Sequence, residues 1–528
     1  MNRLRASSKV FLALLMLTAT GPACAAPTPE NAPTVASSST SAFEWKRSTP
    51  EEQGVDSEML LEAVRRIRDD DLDIRSLVLV RNDHIILELY VHPYDRDTLH
   101  NVKSVSKSII SALVGIALEE GILESLDQTV EEFFPQYFTE GMDESKKQIT
   151  LRHLITMTAG LDLDENGPKM AKVFASDDWI RAALEAPMAD DPGASFLYST
   201  PLTHTMSGIL TEASGMSLLE LADARLFGPL GIETLQWTQG PRGYYFGGAE
   251  LFLRPIDMAK FGQLFLHDGK WQDEQVVPAE WVAESTRNQV PDGSRGRYGY
   301  WWWLAEEEGE VTAVKAMGWG GQGITVMPQL GMVAAGTAGH PRAPDRMFRG
   351  FDPSSFTDEP LPPNPEAVAE LERLVHELGN PEPQPVPPLP EIAAKISGRT
   401  WVADENPRGF RSFAFHFDAD PSVFRVAVEQ ATEALEAEVG LDGLYRMNDT
   451  GPAGSMPDDN RLAARGRWTK ENELILESHQ VGNPVHATWT VRFNGDRLEA
   501  TALVQPLGQS FVITAAASEP ETGKTKRP

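Results

Sequence analysis

Cysteine is almost missing from this 528-residue chain, which carries a single one, Cys24. A disulfide framework and thiol chemistry in a folded domain are thereby excluded. Histidine is sparse as well, with 11 residues, no H-E-x-x-H and no close pair, so neither a structural nor a catalytic zinc site finds its pattern. No G-x-S-x-G is present, which leaves an α/β-hydrolase nucleophile elbow unsupported. Walker A and dinucleotide-type glycine patterns are absent too, and no long repeat marks a solenoid. Basic residues are outnumbered, 47 Lys and Arg against 77 Asp and Glu, for a formal net charge of −30. That balance disfavours the phosphates of nucleic acid and anionic membrane surfaces.

What is present is a globular composition, 41% hydrophobic and 23% charged, in a chain long enough for two or three domains. Arg3, Arg5 and Lys9, the apolar run "VFLALLMLTAT" and the small residues of "GPACAA" read as a secretory signal over residues 1–25, with no twin-arginine pair. The run is too short for a confident membrane span. Two fates of Cys24 stand open. One is an ordinary A-x-A cleavage site at Ala23 and Ala25. The other is lipidation of Cys24 as the mature N-terminus, which Gly21 in place of leucine weakens and the polar tether of residues 26–43 strengthens. The expected location is secreted or periplasmic, with a lipid anchor as the variant.

A first domain is expected over residues 44–379. "SLVLVRNDHIILELYV" reads as a hairpin turning at Asn82-Asp83, and helical patterns dominate from Ser104 to about Phe227. Strands return in "RYGYWWWLAEE", "EVTAVKAM" and "GITVMPQLGMVAAGTAG", and "PEAVAELERLVHELG" closes with a helix. Strands at both ends of a helical middle predict an α+β domain with an antiparallel sheet built from its two termini. The proline-rich stretch 380–391 is a stiff linker. Short alternating segments over 392–518 predict a small all-β domain, followed by a tail at 519–528.

Within "NVKSVSKSIISALVGIALEEG", residues 108–118 are apolar on every side, the signature of a helix buried in mid-domain. Ser104 falls at its start, with Lys107 three residues on and on the same face. Burial and the positive end of the helix both disfavour an ammonium there. An amine so lowered is a base beside a hydroxyl nucleophile, and the amides of the helix start can hold an oxyanion. The bland alternative is a serine N-cap followed by a solvent-facing lysine. Roughly one S-x-x-K arises by chance in a chain of this size, so the burial of the helix carries the argument.

"SVSK" at the start of a buried helix resembles the serine β-lactamase and penicillin-binding superfamily. The chain is most similar to its class C-like branch of esterases, D-amino-acid peptidases and 6-aminohexanoate-oligomer hydrolases, over about Trp45 to Gly339. The resemblance implies a β-lactamase-like α+β fold and a second element, Tyr198-Ser199-Thr200, in which Tyr198 is the phenol or phenolate that shares proton transfer with Lys107. Thr200 stands where asparagine is usual, at a substrate-binding position. It implies a third element in "AMGWGGQG", where Trp319, Gly320 or Gly321 supplies an amide that completes an oxyanion hole with the amide of Ser104. A glycine-rich bulge on an edge strand is the competing reading. The usual cation of this strand is absent, and Lys315 replaces it only in a shifted alignment. Without that cation a substrate carboxylate has no partner, which argues against penicillin-like substrates. Tyr298, Tyr300 and Trp301 to Trp303 either line an apolar cleft or sit in the core. His340 reads as a surface residue.

The expectation is a serine hydrolase that cleaves a small-molecule ester or amide through an acyl-enzyme on Ser104, with no cofactor, metal or nucleic acid. The rival is a non-catalytic penicillin-binding-type receptor or scaffold that uses the C-terminal β-domain as its interface.

Overall fold

The computed structural model describes residues 43–233, 235–290, 297–352, 355–418, 420–431, 434–449 and 461–518. The expected signal segment, Cys24, the expected tether up to residue 42 and the expected tail at 519–528 lie outside them.

The hairpin forms where alternation and its turn place it. Strand β2 (Ile74–Arg81) pairs with β3 (His84–Tyr90), and Asn82 and Asp83 take φ of 48° and 64°, the left-handed pair of a tight hairpin turn. Strand β1 (Lys46–Arg47) adds to β3 in parallel. The sheet is completed from the far end of the domain by β4 (Arg297–Tyr298), β5 (Trp303–Glu307), β6 (Glu310–Gly318), β7 (Gln322–Met327) and β8 (Met332–Ala338). The order is β1-β3-β2-β8-β7-β6-β5-β4, and β2 pairs antiparallel with β8. Val78 and Val80 enter the core on one face of β2, Leu77 and Leu79 the core on the other. Burial on both faces is why "SLVLV" carries no polar alternation.

Helices α1 (Ser57–Asp69) and α5 (Pro365–Gly379) cover one face of the sheet. The other face packs on α2 (Val105–Glu119) and α4 (Pro255–Leu266), behind which lies the helical region with α3 (Thr200–Ser214). Helix α2 is buried from Val105 to Ala117, as its unbroken apolar surface requires.

"RYGYWWWLAEE" is not one strand. The chain breaks between β4 and β5, with Trp301 at φ 63°, and turns Tyr300, Trp301 and Trp302 into the helical core. Ser108 of α2 donates to the Trp301 carbonyl at 2.7 Å, which ties this bulge to the central helix.

Residues 381–390 have no regular structure, and Val386 and Leu389 lie against the C-terminal core. A short helix, Glu391–Ile396, spans the expected boundary, with Ile396 in that core. Ten strands follow, antiparallel except where β12 meets β14 in parallel: β9 (Thr400–Ala403), β10 (Phe410–Phe417), β11 (Val423–Gln430), β12 (Ala434–Gly440), β13 (Arg446–Asp449), β14 (Arg461–Lys470), β15 (Glu473–Gln480), β16 (His486–Asn494), β17 (Arg497–Gln505) and β18 (Gln509–Ala517). Pairing of β12 with β14 closes them into a barrel filled by Trp401, Phe415, Phe424 and Phe493 among others. The chain is thus a β-lactamase-like α+β fold followed by an all-β barrel. Among the described residues no helix is long and apolar enough to cross a membrane.

Candidate active site

The two-residue strand His100–Asn101 pairs with Leu251–Leu253 and delivers the chain to α2. Lys103 then takes φ 52°, a left-handed turn that sets Ser104 at the helix N-terminus. The Ser104 hydroxyl does not cap the helix, and Lys107 is 1% exposed. A capping serine with a solvent-facing lysine is therefore not what forms here.

Lys107 Nζ lies 2.8 Å from Ser104 Oγ, 2.9 Å from Thr200 Oγ1 and 2.9 Å from the Gly248 carbonyl oxygen. Burial lowers its pKa from the usual lysine range to about 8, against an opposing pull from the Glu165 carboxylate. The amine thus changes protonation in the neutral-to-alkaline range instead of being held wholly uncharged.

Tyr198 stands beside the Ser104–Lys107 pair, with Lys107 Nζ 5.1 Å from its ring centroid. Its ring stacks on Trp303 at 5.6 Å and meets Tyr298 edge-on at 6.1 Å. Burial and the nearby Glu165 carboxylate push its pKa up, with the Ser104 hydroxyl only partly offsetting them. Of the two expected forms, the neutral phenol is the resting one. A raised pKa keeps that phenol protonated and able to donate, and leaves Lys107 as the neighbour that can lose its proton near neutral pH.

Glu165 escaped the sequence reading. One of its carboxylate oxygens accepts from the Thr200 amide at 2.8 Å and the other from the Thr200 hydroxyl at 2.7 Å. It thus caps the positive end of α3 and sets the charge felt by Lys107 and Tyr198. Nothing local in "DLDENG" announces this, because the partner is 35 residues away in the chain. The Thr200 hydroxyl, expected at a substrate-binding position, is engaged by both Lys107 Nζ and the Glu165 carboxylate.

At the end of β6 the backbone of Gly318 runs against the turn before Ser104. A Cβ there would stand 2.3 Å from the Val102 carbonyl oxygen, so only glycine permits the approach. The Gly321 amide donates to the Gly318 carbonyl at 3.3 Å, which removes it from the candidate oxyanion donors and leaves Trp319 and Gly320. Among the described residues, no carbonyl is paired with the amide of Ser104 or of Trp319.

Strand parity decides the question of Lys315. Val314 and Ala316 face α2, so Lys315 lies on the opposite side of the sheet, along a cavity of about 260 Å³. It cannot serve as the missing cation. Tyr298, Tyr300, Trp301 and Trp302 are at most 2% exposed and belong to the core, so of the aromatic run only Trp303 reaches Tyr198 as a partly exposed neighbour. His340 is exposed and accepts from the Arg342 amide, as a surface residue would. No cluster of three or more His, Cys, Asp or Glu side chains fit to hold a metal occurs among the described residues.

A family model described as Beta-lactamase matches residues 75–347, just over half of the chain. The chain belongs to the beta-lactamase family. It is 23% identical over 314 residues to the 6-aminohexanoate-dimer hydrolase of Paenarthrobacter ureafaciens, a match that covers 54% of this chain and 77% of that one. It is 29% identical over 225 residues to Esterase EstB of Burkholderia gladioli, covering 39% of this chain and 55% of the relative. Among solved structures, a putative 6-aminohexanoate-dimer hydrolase from Bacillus anthracis aligns with a TM-score of 0.45 and 21% identity, over 59% of this chain and 82% of that one.

Proposed function

We propose that this beta-lactamase-family chain is a serine hydrolase that cleaves a small-molecule ester or amide through an acyl-enzyme on Ser104. The observation that carries the reading is the 2.8 Å approach of a buried amine of lowered pKa to the Ser104 hydroxyl. Ser104 Oγ attacks the substrate carbonyl as its proton passes to Lys107 Nζ. The Tyr198 phenol, beside the same pair, hands a proton on to the leaving group, and Lys107 and Tyr198 then activate water against the acyl-enzyme. The amides of Ser104 and of Trp319 or Gly320 hold the oxyanion.

The inward positions of β6 are Val314, Ala316 and Gly318, which offer no cation to a substrate carboxylate. Trp319, 42% exposed, and Trp303 beside Tyr198 favour an apolar acyl group. The names of the relatives, an esterase and a 6-aminohexanoate-dimer hydrolase, agree with a hydrolase of small molecules. The reading carries export with it, and mass spectrometry of the mature N-terminus separates simple cleavage from lipidation of Cys24.

A fluorophosphonate probe is expected to label the wild type and to fail on Ser104→Ala. No labelling of either at neutral or alkaline pH would favour the receptor reading. Turnover of p-nitrophenyl esters with nitrocefin left intact is the expected substrate pattern. Gly318→Ala, forced off the Val102 carbonyl, is expected to lose roughly tenfold or more in kcat/KM for such esters while circular dichroism stays unchanged.

A further inference from the structure

The barrel has no chemical motif, yet one of its loops reaches the candidate site. Between β15 and β16 the chain runs Val481-Gly482-Asn483-Pro484-Val485, and its first four residues are buried. The Gly482 carbonyl accepts from the Asn101 amide at 2.7 Å. Asn483 Oδ1 accepts from Asn101 Nδ2 at 3.2 Å. Asn101 in turn accepts, through its own Oδ1, from the Lys103 amide at 3.1 Å, inside the left-handed turn that precedes Ser104. Its Nδ2 also reaches Glu250, which pairs with Lys103 Nζ at 2.9 Å.

The next residue of the loop touches the other half of the site. Pro484 lies so close to Gly320 that a Cβ on Gly320, which has φ 88°, would stand 2.3 Å from the proline Cβ. The loop is itself held from the sheet. Arg75, fully buried at the start of β2, donates to the carbonyls of Asn483 and Pro484 and pairs with Asp73, which also meets His486 at 3.1 Å.

We propose that the Val481–Val485 loop of the barrel is a positioning element of the active site: Asn483 braces the turn that aims Ser104, and Pro484 backs the Trp319–Gly320 segment. Both halves of the candidate oxyanion hole then lean on three consecutive barrel residues, and the barrel and the hydrolase domain form one catalytic unit. This rests on the acyl-transfer reading above for its functional consequence, and on geometry alone for the bracing. A left-handed non-glycine residue such as Lys103 costs energy that surrounding bonds must offset, and Asn101 with Asn483 supplies them.

The full-length variants Asn483→Ala and Pro484→Gly test it, with Val512→Ala on an exposed part of the barrel as control. Hydrogen exchange of the backbone at residues 101–104 and 318–321 is expected to quicken about tenfold in the two loop variants and to stay unchanged in the control. Unchanged exchange there in both loop variants overturns the proposal. Kinetically, kcat is expected to fall about tenfold with KM within about twofold, because alignment and not binding is lost. A kcat within twofold of an active wild type also overturns it, since a purely structural loop would alter melting alone. If exchange quickens but the wild type turns over no ester or amide and takes no fluorophosphonate, the bracing stands and the hydrolase reading falls.

Discussion

Lys107→Met is expected to leave the protein folded and to lower kcat/KM for an activated ester by about 10³, the scale of losing a positioned general base. The wild type should show kcat/KM rising with pH through an apparent pKa near 8, because the amine must lose its proton before it can take one from Ser104. The sign of a second change follows from the charges around it. Burial lowers the lysine pKa and the Glu165 carboxylate raises it, so Glu165→Gln should move the rising limb to lower pH. The same substitution keeps one acceptor, enough for the Thr200 amide and so for the cap on α3, while its NH2 group can only donate to the Thr200 hydroxyl, which must turn to accept. Initial rates from pH 5.5 to 10 on wild type and variant check both expectations. A flat wild-type profile, or a limb that moves upward in Glu165→Gln, would refute the role assigned to the buried amine.

Mild acid is expected to destabilise this protein far more than its many carboxylates suggest. Three histidines are held neutral: His100 and His204 are buried, and His479 is partly buried. His100, beside the Tyr94 ring and facing the charge of Arg75, is lowered to about 3. His204, packed on Trp179 and Phe246, is lowered to about 4. His479, between the hydroxyls of Tyr94 and Tyr445 at 3.0 Å each, is lowered well below the ordinary value of 6.5. In every case desolvation is the leading cause. Each unfolded histidine takes up a proton near pH 6.5 that its folded form refuses. Stability is therefore fully present above that pH and is lost as pH falls through the window below it.

Each group costs up to about 1.4 kcal/mol per pH unit, and less near pH 6.5 where the unfolded histidine is half protonated, so three of them remove roughly 5 kcal/mol between pH 6.5 and 5. Set against a typical net stability of about 5–15 kcal/mol, that loss is decisive. Urea unfolding at pH 7, 6 and 5 should show a slope equivalent to about three protons taken up on unfolding, well before the carboxylates titrate. A free energy of unfolding that is flat between pH 6.5 and 5 would show that these histidines are not held neutral.

Local chemistry and pattern determined several features of this protein before any fold was known. The hairpin at Asn82-Asp83, the all-apolar helix after Ser104, the three-residue spacing of Ser104 and Lys107, and the proline-rich stretch before the barrel are properties of neighbours along the chain. Backbone preference and hydrophobic period act over a turn or two, so they can be read from adjacent letters. Even there the aromatic run misled, because "YWWW" suits a strand and a core equally well. Burial of Trp302 between Phe261 and Phe265, together with the Ser108 bond to the Trp301 carbonyl, decided for the core.

The strands β9, β12 and β13 of the barrel are the least legible along the chain. They are brief or charge-rich, and their place is set by pairing with partners that are legible in themselves.

Only the tertiary structure decided what surrounds the amine and what holds the serine. Thr200 lies 93 residues from Lys107 and Gly248 lies 141. Glu165 joins through Thr200, and Asn483 reaches Asn101 across 382 residues. No local rule links such positions. Their meeting follows from how the sheet, the helical region and the barrel pack, and an electrostatic environment exists only once those layers exclude water together.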